Sequence, residues 1–240
     1  ELAARLARNT AGPKAGADDG IGAGVVVAGS LPPLFGSYEP DKFDPEAAPN
    51  LWRVLIEPQI PYVDLWIGET ISSTTEARVL VETLIAAGDS TRRKPVWLSF
   101  TVADALVDGR ATLRSGEPIS AIADLVEAVV GDDTAISTVN VDAVLFNCSQ
   151  PEVIGPALAE LRHLVPNTRI GAYANAFADH NADSDEYSAN EIVLEGRSDL
   201  TPDRYAAIVA EWIDAGATIV GGCCEIYPSH IAELASRFGR

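Results

Sequence analysis

"VDAVLFNCSQPEVIGPALAELRHL" occupies residues 141–164. Its first part, "VDAVLFNCS", is a short, largely apolar run with β-branched and aromatic residues, the composition of a strand covered on both faces. The rest, "QPEVIGPALAELRHL", reads as a helix with Pro151 near its first turn, where a missing N–H costs nothing. A buried strand that runs straight into a helix is the repeating half of a βαβ unit. At the seam between the two sits a cysteine, Cys148.

The same unit recurs along the chain. Five further segments read as buried strands: "GVVVAGS" (24–30), "VDLWIGET" (63–70), "PVWLSFT" (95–101), "RIGAYAN" (169–175) and "ATIVGGCC" (217–224). Helical patterns lie between them. "STTEARVLVETLIAAG" opens on Ser73 as N-cap, has Glu76 three residues later, and closes at Gly88. "SAIADLVEAVVG" repeats the glycine ending, "TPDRYAAIVAEWIDAG" pairs Thr201 with Pro202, and "YPSHIAELASRF" starts near Tyr227 or Ser229. Alternating strands and helices mean a parallel α/β sheet, either an open doubly wound sheet or a (β/α)8 barrel. A dinucleotide-binding open sheet needs its glycines after the first strand, and those of "GIGAGVVV" precede it. The strand ends favour the barrel. Ser30, Glu69, Thr70, Ser99, Thr101, Asn147, Cys148, Asn175, Cys223 and Cys224 all lie at C-terminal ends, which converge on one mouth in a barrel.

The 240 residues carry no long polar linker, and 47% of them are apolar, so residues 1–240 read as a single domain with a sizeable core. Seventeen basic residues face 35 acidic ones, a net charge of -18. Nucleic acid and anionic membranes both require a basic footprint, so neither is an expected partner. No apolar run is long enough for a membrane span, and no export signal opens the chain. Three cysteines cannot all pair, which points to reduced thiols and a cytoplasmic protein. His163, His180 and His230 have no G-x-S-x-G elbow beside them, which argues against a hydrolase triad. Trp52, Trp66, Trp97 and Trp212 fit core packing.

Cys148 ends one strand, and Cys223 and Cys224 end another. Within one barrel the three sulfurs can meet at the mouth. Three thiolates with a fourth position left for substrate suit a catalytic zinc, which thiolates select over harder metals. Neighbouring strand residues point to opposite faces, so the adjacent pair can serve together only if the backbone bends. Gly221 and Gly222 make that bend easier. The alternative is three buried thiols acting as small hydrophobes.

"IVGGCCEIYPSHI" together with "LFNCSQPEVI" resembles the homocysteine S-methyltransferase family. "VAGSLPPLFGSYEPD", "DLWIGETISSTTEA", "GAYANAF" and "DLTPDRYAAIVAEWIDAGATIVGGCC" are similar, in the same order, to its S-methylmethionine-using branch. The resemblance implies an eight-stranded barrel in which Cys148, Cys223 and Cys224 bind zinc. It implies transfer of a methyl group from a sulfonium donor, S-methylmethionine or S-adenosylmethionine, to the thiol of homocysteine, giving methionine. Glu69 would hold the amino group of homocysteine. Asn147 and Asn175 would either orient the amino acid or brace loops. Phe35 and Tyr38 are placed to face the methyl groups of a cationic donor. Betaine as donor, another thiol or selenol acceptor such as selenocysteine, and a zinc- and thiol-binding paralogue without turnover are the alternatives. Residues 177–200 form a long acidic segment, either a lid or a surface excursion.

Six strands cannot close a barrel of eight. The resemblance places Glu1 in the helix before the third strand, so the first two βα units are expected upstream of it. The expected shape is therefore a curved open sheet, in chain order, with "GVVVAGS" and "ATIVGGCC" as its edges. Oligomeric state is not legible.

Overall fold

The structure is a computed structural model that describes residues 1–12, 25–130, 139–177 and 196–239. In chain order its elements are α1 (Leu2–Ala11), β1 (Ala28–Leu31), a 3-10 turn (Pro40–Lys42), α2 (Ala48–Ile56), β2 (Leu65–Ile71), α3 (Thr74–Ala86), α4 (Asp89–Arg92), β3 (Val96–Phe100), α5 (Ser120–Val130), β4 (Val141–Asn147), α6 (Pro151–Leu164), β5 (Arg169–Tyr173), α7 (Pro202–Asp214), β6 (Ile219–Val220) and α8 (Pro228–Phe238). All six strands are parallel, and each pairs with the next in the order β1-β2-β3-β4-β5-β6. This is the wall of a (β/α) barrel, with no pairing of β6 to β1 among the described residues. None of the described helices is long and apolar enough to cross a membrane.

Period-two alternation sorts the strand side chains into two layers. Trp66, Leu98, Val144, Phe146, Ile170 and Ala172 face outward and pack with the helices in the main core. Leu65, Ile67, Ala143 and Leu145 face inward and form a second cluster with Val26, Trp97, Tyr173 and Ile219 against it. Toward the N-terminal end of the sheet, Trp97 Nε1 donates to Asp142 at 2.7 Å and the guanidinium of Arg169 pairs with the same carboxylate. Trp97 is thus a lumen residue with a satisfied polar handle.

The helix signals are expressed largely as read. Ser73 caps α3, its hydroxyl accepting the Glu76 N–H at 3.1 Å. Thr201 caps α7 in the same way at 3.3 Å. α6, α7 and α8 each carry proline in the first turn. Tyr227, not Ser229, is the N-cap residue of α8. His230 has a structural role: its Nδ1 accepts the Tyr227 N–H at 3.0 Å, which leaves Nε2 to donate to the Leu200 carbonyl at 2.8 Å. Gly131, the reading's end of α5, lies outside the described residues, as do Gly24, His180 and residues 178–195 of the acidic segment.

The last strand departs most from expectation. "ATIVGGCC" predicts a strand over residues 217–224, but β6 is two residues long. Gly221 N–H bonds the Ala172 carbonyl at 3.1 Å, and a parallel ladder would next join Ala174 N–H to the Gly221 carbonyl. The Tyr205 hydroxyl occupies that rung instead. It accepts from Ala174 N–H at 3.2 Å and donates to the Gly221 carbonyl at 2.8 Å. The inserted oxygen parts the strands there, and the chain turns away from strand geometry before the cysteines.

Glu76 is a buried carboxyl at the start of α3, 3% exposed, whose Oε2 accepts the Ser72 N–H at 2.9 Å. Burial pushes its pKa up to about 7, against the pull of that hydrogen bond. The folded state therefore favours the protonated form. Its contribution to stability is full below the ordinary carboxyl range near 4.5 and is lost as pH rises through about 7. Glu76→Gln keeps the acceptor and carries no charge. Urea denaturation of the two proteins should give similar stabilities at pH 4.5, and at pH 8 the Gln variant should be the more stable by ~3 kcal/mol.

Candidate functional site

The three cysteines converge. Cys148 Sγ lies 2.8 Å from Cys223 Sγ and 3.7 Å from Cys224 Sγ, and the latter two are 3.8 Å apart. Backbone bonds hold them in place: Cys148 N–H to the Tyr173 carbonyl at 3.2 Å, Cys223 N–H to the Ala174 carbonyl at 2.8 Å, and Ala176 N–H to the Cys224 carbonyl at 2.9 Å. Gly222 is required by the turn, since a Cβ there would come within 2.1 Å of the Ile226 side chain. Cys148 itself is in the left-handed region, with φ of 49°. It is buried, Cys223 is half-buried and Cys224 is exposed, so the cluster opens on the Cys224 side.

These sulfurs share protons. Hydrogen bonds from Cys148 and Cys223 hold the Cys224 thiol down at about 3. The partner thiols, then burial, push Cys223 well above the thiol range. The Cys223 hydrogen bond lowers Cys148, but Cys224 and burial outweigh it and leave it at about 11. Of the three, Cys224 is the sulfur that its neighbours favour as thiolate. Sulfurs bound tetrahedrally to zinc at 2.3 Å lie about 3.8 Å apart. Two of the three separations already match, and the third needs to widen by about 1 Å. The three cysteines are a group able to hold a metal ion, with all ligand atoms within 4.8 Å of one another.

Below the cluster lies a rim of lumen-facing polar side chains. Asn147 is 1% exposed and braces three strands. Its Oδ1 accepts from Thr70 N–H at 3.1 Å and Ser99 Oγ at 2.8 Å, and its Nδ2 donates to Thr70 Oγ1 at 3.0 Å. Thr70 has φ of 60°, an unusual conformation for a β-branched residue, and Asn147 holds it there. Glu69 accepts from Ser30 Oγ at 2.7 Å and from the Tyr173 hydroxyl at 3.3 Å. Asn175, between the two alanines that bond the cysteine backbones, has a buried Oδ1 with no hydrogen-bond partner among the described residues.

The two aromatic candidates separate. Tyr38 is packed close to the cysteines, and burial, then the charge of Cys148, push its phenol far above the usual range. One face of its ring is covered by the guanidinium of Arg114 at 4.9 Å, and Arg114 in turn forks onto Asp104 at 2.8 and 2.7 Å. Phe35 is 38% exposed and stands edge-on to Phe43 at 6.2 Å. Tyr173, Tyr205 and Arg114 are the site-building residues that the sequence reading passed over. Tyr173 had a signal, because it shares its lumen-facing parity with Glu69, Ser99 and Asn147. Tyr205 and Arg114 had none, since each acts from a distant element.

Asn147→Ala would leave the part-buried Thr70 N–H and the buried Ser99 hydroxyl without this acceptor. Each orphaned group costs ~1–3 kcal/mol, so chemical denaturation should show a loss of ~3 kcal/mol, more than a cavity of that size alone produces.

Comparison with known proteins agrees with this geometry. The profile of the family described as homocysteine S-methyltransferase matches residues 1–238. Homocysteine S-methyltransferase 4 of Zea mays is 31% identical over 172 residues, covering 72% of this chain and 43% of the maize protein. Selenocysteine Se-methyltransferase of Brassica oleracea var. italica is 28% identical over 177 residues, covering 72% and 43%. Homocysteine S-methyltransferase of Escherichia coli is 26% identical over 222 residues, covering 89% and 63%. The crystal structure of the metallated form of the homocysteine methyltransferase MmuM from Escherichia coli superposes with a TM-score of 0.63 at 25% identity, covering 89% of this chain and 61% of that one. The chain spans about half the length of the curated relatives it matches. With three sulfurs gathered at the mouth of a parallel α/β wall and a family match that runs almost from end to end, the chain belongs to the homocysteine S-methyltransferase family.

Proposed function

We propose that this protein transfers a methyl group from a cationic sulfonium donor, such as S-methylmethionine or S-adenosylmethionine, to the thiol of homocysteine, with zinc held by Cys148, Cys223 and Cys224. The convergence of the three sulfurs from two separate strand ends carries the reading. Three buried packing thiols would not need a left-handed Cys148, an inserted Tyr205 hydroxyl and an obligatory glycine to meet. Zinc suits the all-sulfur donor set and supplies the positive charge that keeps an acceptor thiol deprotonated near neutral pH.

The chain's own residues then account for binding and alignment. Glu69 accepts the acceptor's ammonium group, held in place by Ser30 and Tyr173. The uncommitted Asn175 Oδ1 offers a further acceptor beside the cysteines. Asn147 acts as a brace and does not reach for substrate through its Oδ1, which is fully engaged. Tyr38, with Arg114 over one face of its ring, and the half-exposed Phe35 line the donor side. In the transfer, the acceptor sulfur supplies the electron pair of the new carbon–sulfur bond. The donor's bond to its methyl carbon breaks and returns its pair to the donor sulfur, which becomes neutral. The thiol proton has already left to solvent. The protein's contribution is to place sulfur, methyl carbon and leaving group in line. The excess of acidic side chains, 35 against 17 basic, does not oppose a cationic donor.

A selenol acceptor is the second reading, favoured by similarity to the Brassica oleracea selenocysteine Se-methyltransferase. Purified full-length protein with zinc, homocysteine and S-methylmethionine should yield methionine. Competition with selenocysteine separates the two acceptors. No methylated product with S-methylmethionine, S-adenosylmethionine or betaine, and either acceptor, defeats the proposal. Zinc loading at pH 7 should release protons, because Cys148 and Cys223 are held above the usual thiol range and must ionise to ligate. Binding should therefore tighten as pH rises, read by an indicator dye and competition with a chelator. Cys224→Ala should lose most of the zinc with little loss of folding stability.

A further inference from the structure

Five side chains crown the inner face of the sheet at its C-terminal rim: Ser30, Glu69, Ser99, Asn147 and Tyr173. Ser99 and Asn147 are bonded to each other. The remaining three centre on the Glu69 carboxylate, and Tyr173, whose phenol also interacts with Ser99, is the unusual member. Its carbonyl accepts the Cys148 N–H at 3.2 Å, so its backbone is tied to the cysteine cluster. Its side chain leaves β5 and crosses the lumen to β2, three strands away in the sheet, where its hydroxyl meets Glu69 Oε1 at 3.3 Å. Ser30, on the neighbouring β1, donates to the other carboxylate oxygen at 2.7 Å. The carboxylate is thus gripped from both sides of the lumen.

The position of the ring is itself determined. Tyr173 packs against the inner cluster of Leu65, Ile67, Ala143 and Leu145. Gly221 lies beside it, and an added Cβ there would stand at an ordinary contact distance of 3.6 Å from that of Tyr173. Burial, then the adjacent Glu69 charge, push its phenol far above the usual range, so the hydroxyl remains a donor at every physiological pH. A rigid side chain with two torsions therefore connects the Glu69 carboxylate to the backbone bonded to Cys148.

We propose that Tyr173 is a positioning residue, which fixes Glu69 at a set separation from the cysteine cluster and so selects thiols that carry an amine at the matching distance. The inference rests on the reading of Glu69 as the ammonium site of a thiol acceptor. It concerns binding selectivity, which is measurable whether or not methyl transfer follows.

The test uses zinc-loaded full-length protein and two probes, homocysteine and 4-sulfanylbutanoate, which is homocysteine without its amine. Isothermal titration of wild type and Tyr173→Phe gives the dissociation constants. Loss of a hydrogen bond to a charged group that orders the site should weaken homocysteine about tenfold. It should leave 4-sulfanylbutanoate within about twofold and zinc content unchanged. In a Glu69→Gln background the same substitution should cost homocysteine nothing further, since Tyr173 acts through the carboxylate. Equal weakening of both thiols, no weakening of either, or additive losses in the double variant would overturn the inference. Because Phe retains the ring, a variant that binds zinc but no longer separates the two thiols still supports it. One that loses zinc assigns Tyr173 to the metal site instead and overturns it. A wild type that binds homocysteine in preference to 4-sulfanylbutanoate but transfers no methyl group counts against the proposed function alone.

Discussion

Successive residues of a strand face opposite sides of the sheet, yet Cys223 and Cys224 both have to face Cys148. Much of the site follows from how the chain escapes that rule. β6 stops after two residues. The Tyr205 hydroxyl takes over the rung at which Ala174 and Gly221 would otherwise bond. Gly222 accepts a position that Ile226 denies to any side chain. Direct backbone bonds then resume, Cys223 to Ala174 and Ala176 to Cys224, and they lock the turned segment against the end of β5. The ladder is opened by one oxygen atom, and the cost of opening it is small because the phenol satisfies both backbone groups that it separates.

The rim of the sheet carries backbone conformations that most residues avoid. Thr70 and Cys148 both have positive φ, and such positions cost ~1–3 kcal/mol each. Asn147 connects them. It precedes Cys148 in the chain and holds Thr70 by both of its amide atoms. The residue that pins one strained position therefore lies next to the other, and the network is buried, where its hydrogen bonds have little competition from water. The frame that holds these positions is stiff, and it is built from β2, β3, β4 and β5.

The loops above the rim meet in an unplanned-looking way that also has a physical cause. Tyr38 comes from the segment after β1 and Arg114 from the segment after β3, and the two meet as a cation over a ring at 4.9 Å. Arg114 is held by Asp104 through both terminal nitrogens, which fixes its plane against the Tyr38 ring. One aromatic face at the mouth is thereby consumed by the protein's own cation. Of the two aromatic residues expected to meet a charged donor, Phe35 is the more accessible and Tyr38 is nearer the sulfurs.

The α/β class, the order of the six strands, the caps at Ser73 and Thr201 and the three cysteines were all determined by the sequence alone, because each rests on local pattern. Apolar period marks strands, proline and hydroxyl residues mark helix starts, and cysteine at a strand end marks the mouth. Glu69 was legible for the same reason as a strand-end residue, and its role came only from the family resemblance. Tertiary structure decided the rest. The length of β6 was set by Tyr205, which lies on α7 and carries no trace in "ATIVGGCC" of where its hydroxyl would fall. The division of labour between two asparagines was likewise decided in space. Asn147 finds Thr70 and Ser99 across neighbouring strands and is spent on them, and Asn175 keeps a buried oxygen unpaired among the described residues. Both look alike in sequence, an asparagine at the end of an apolar strand, and only partners brought from other strands distinguish a brace from a free acceptor.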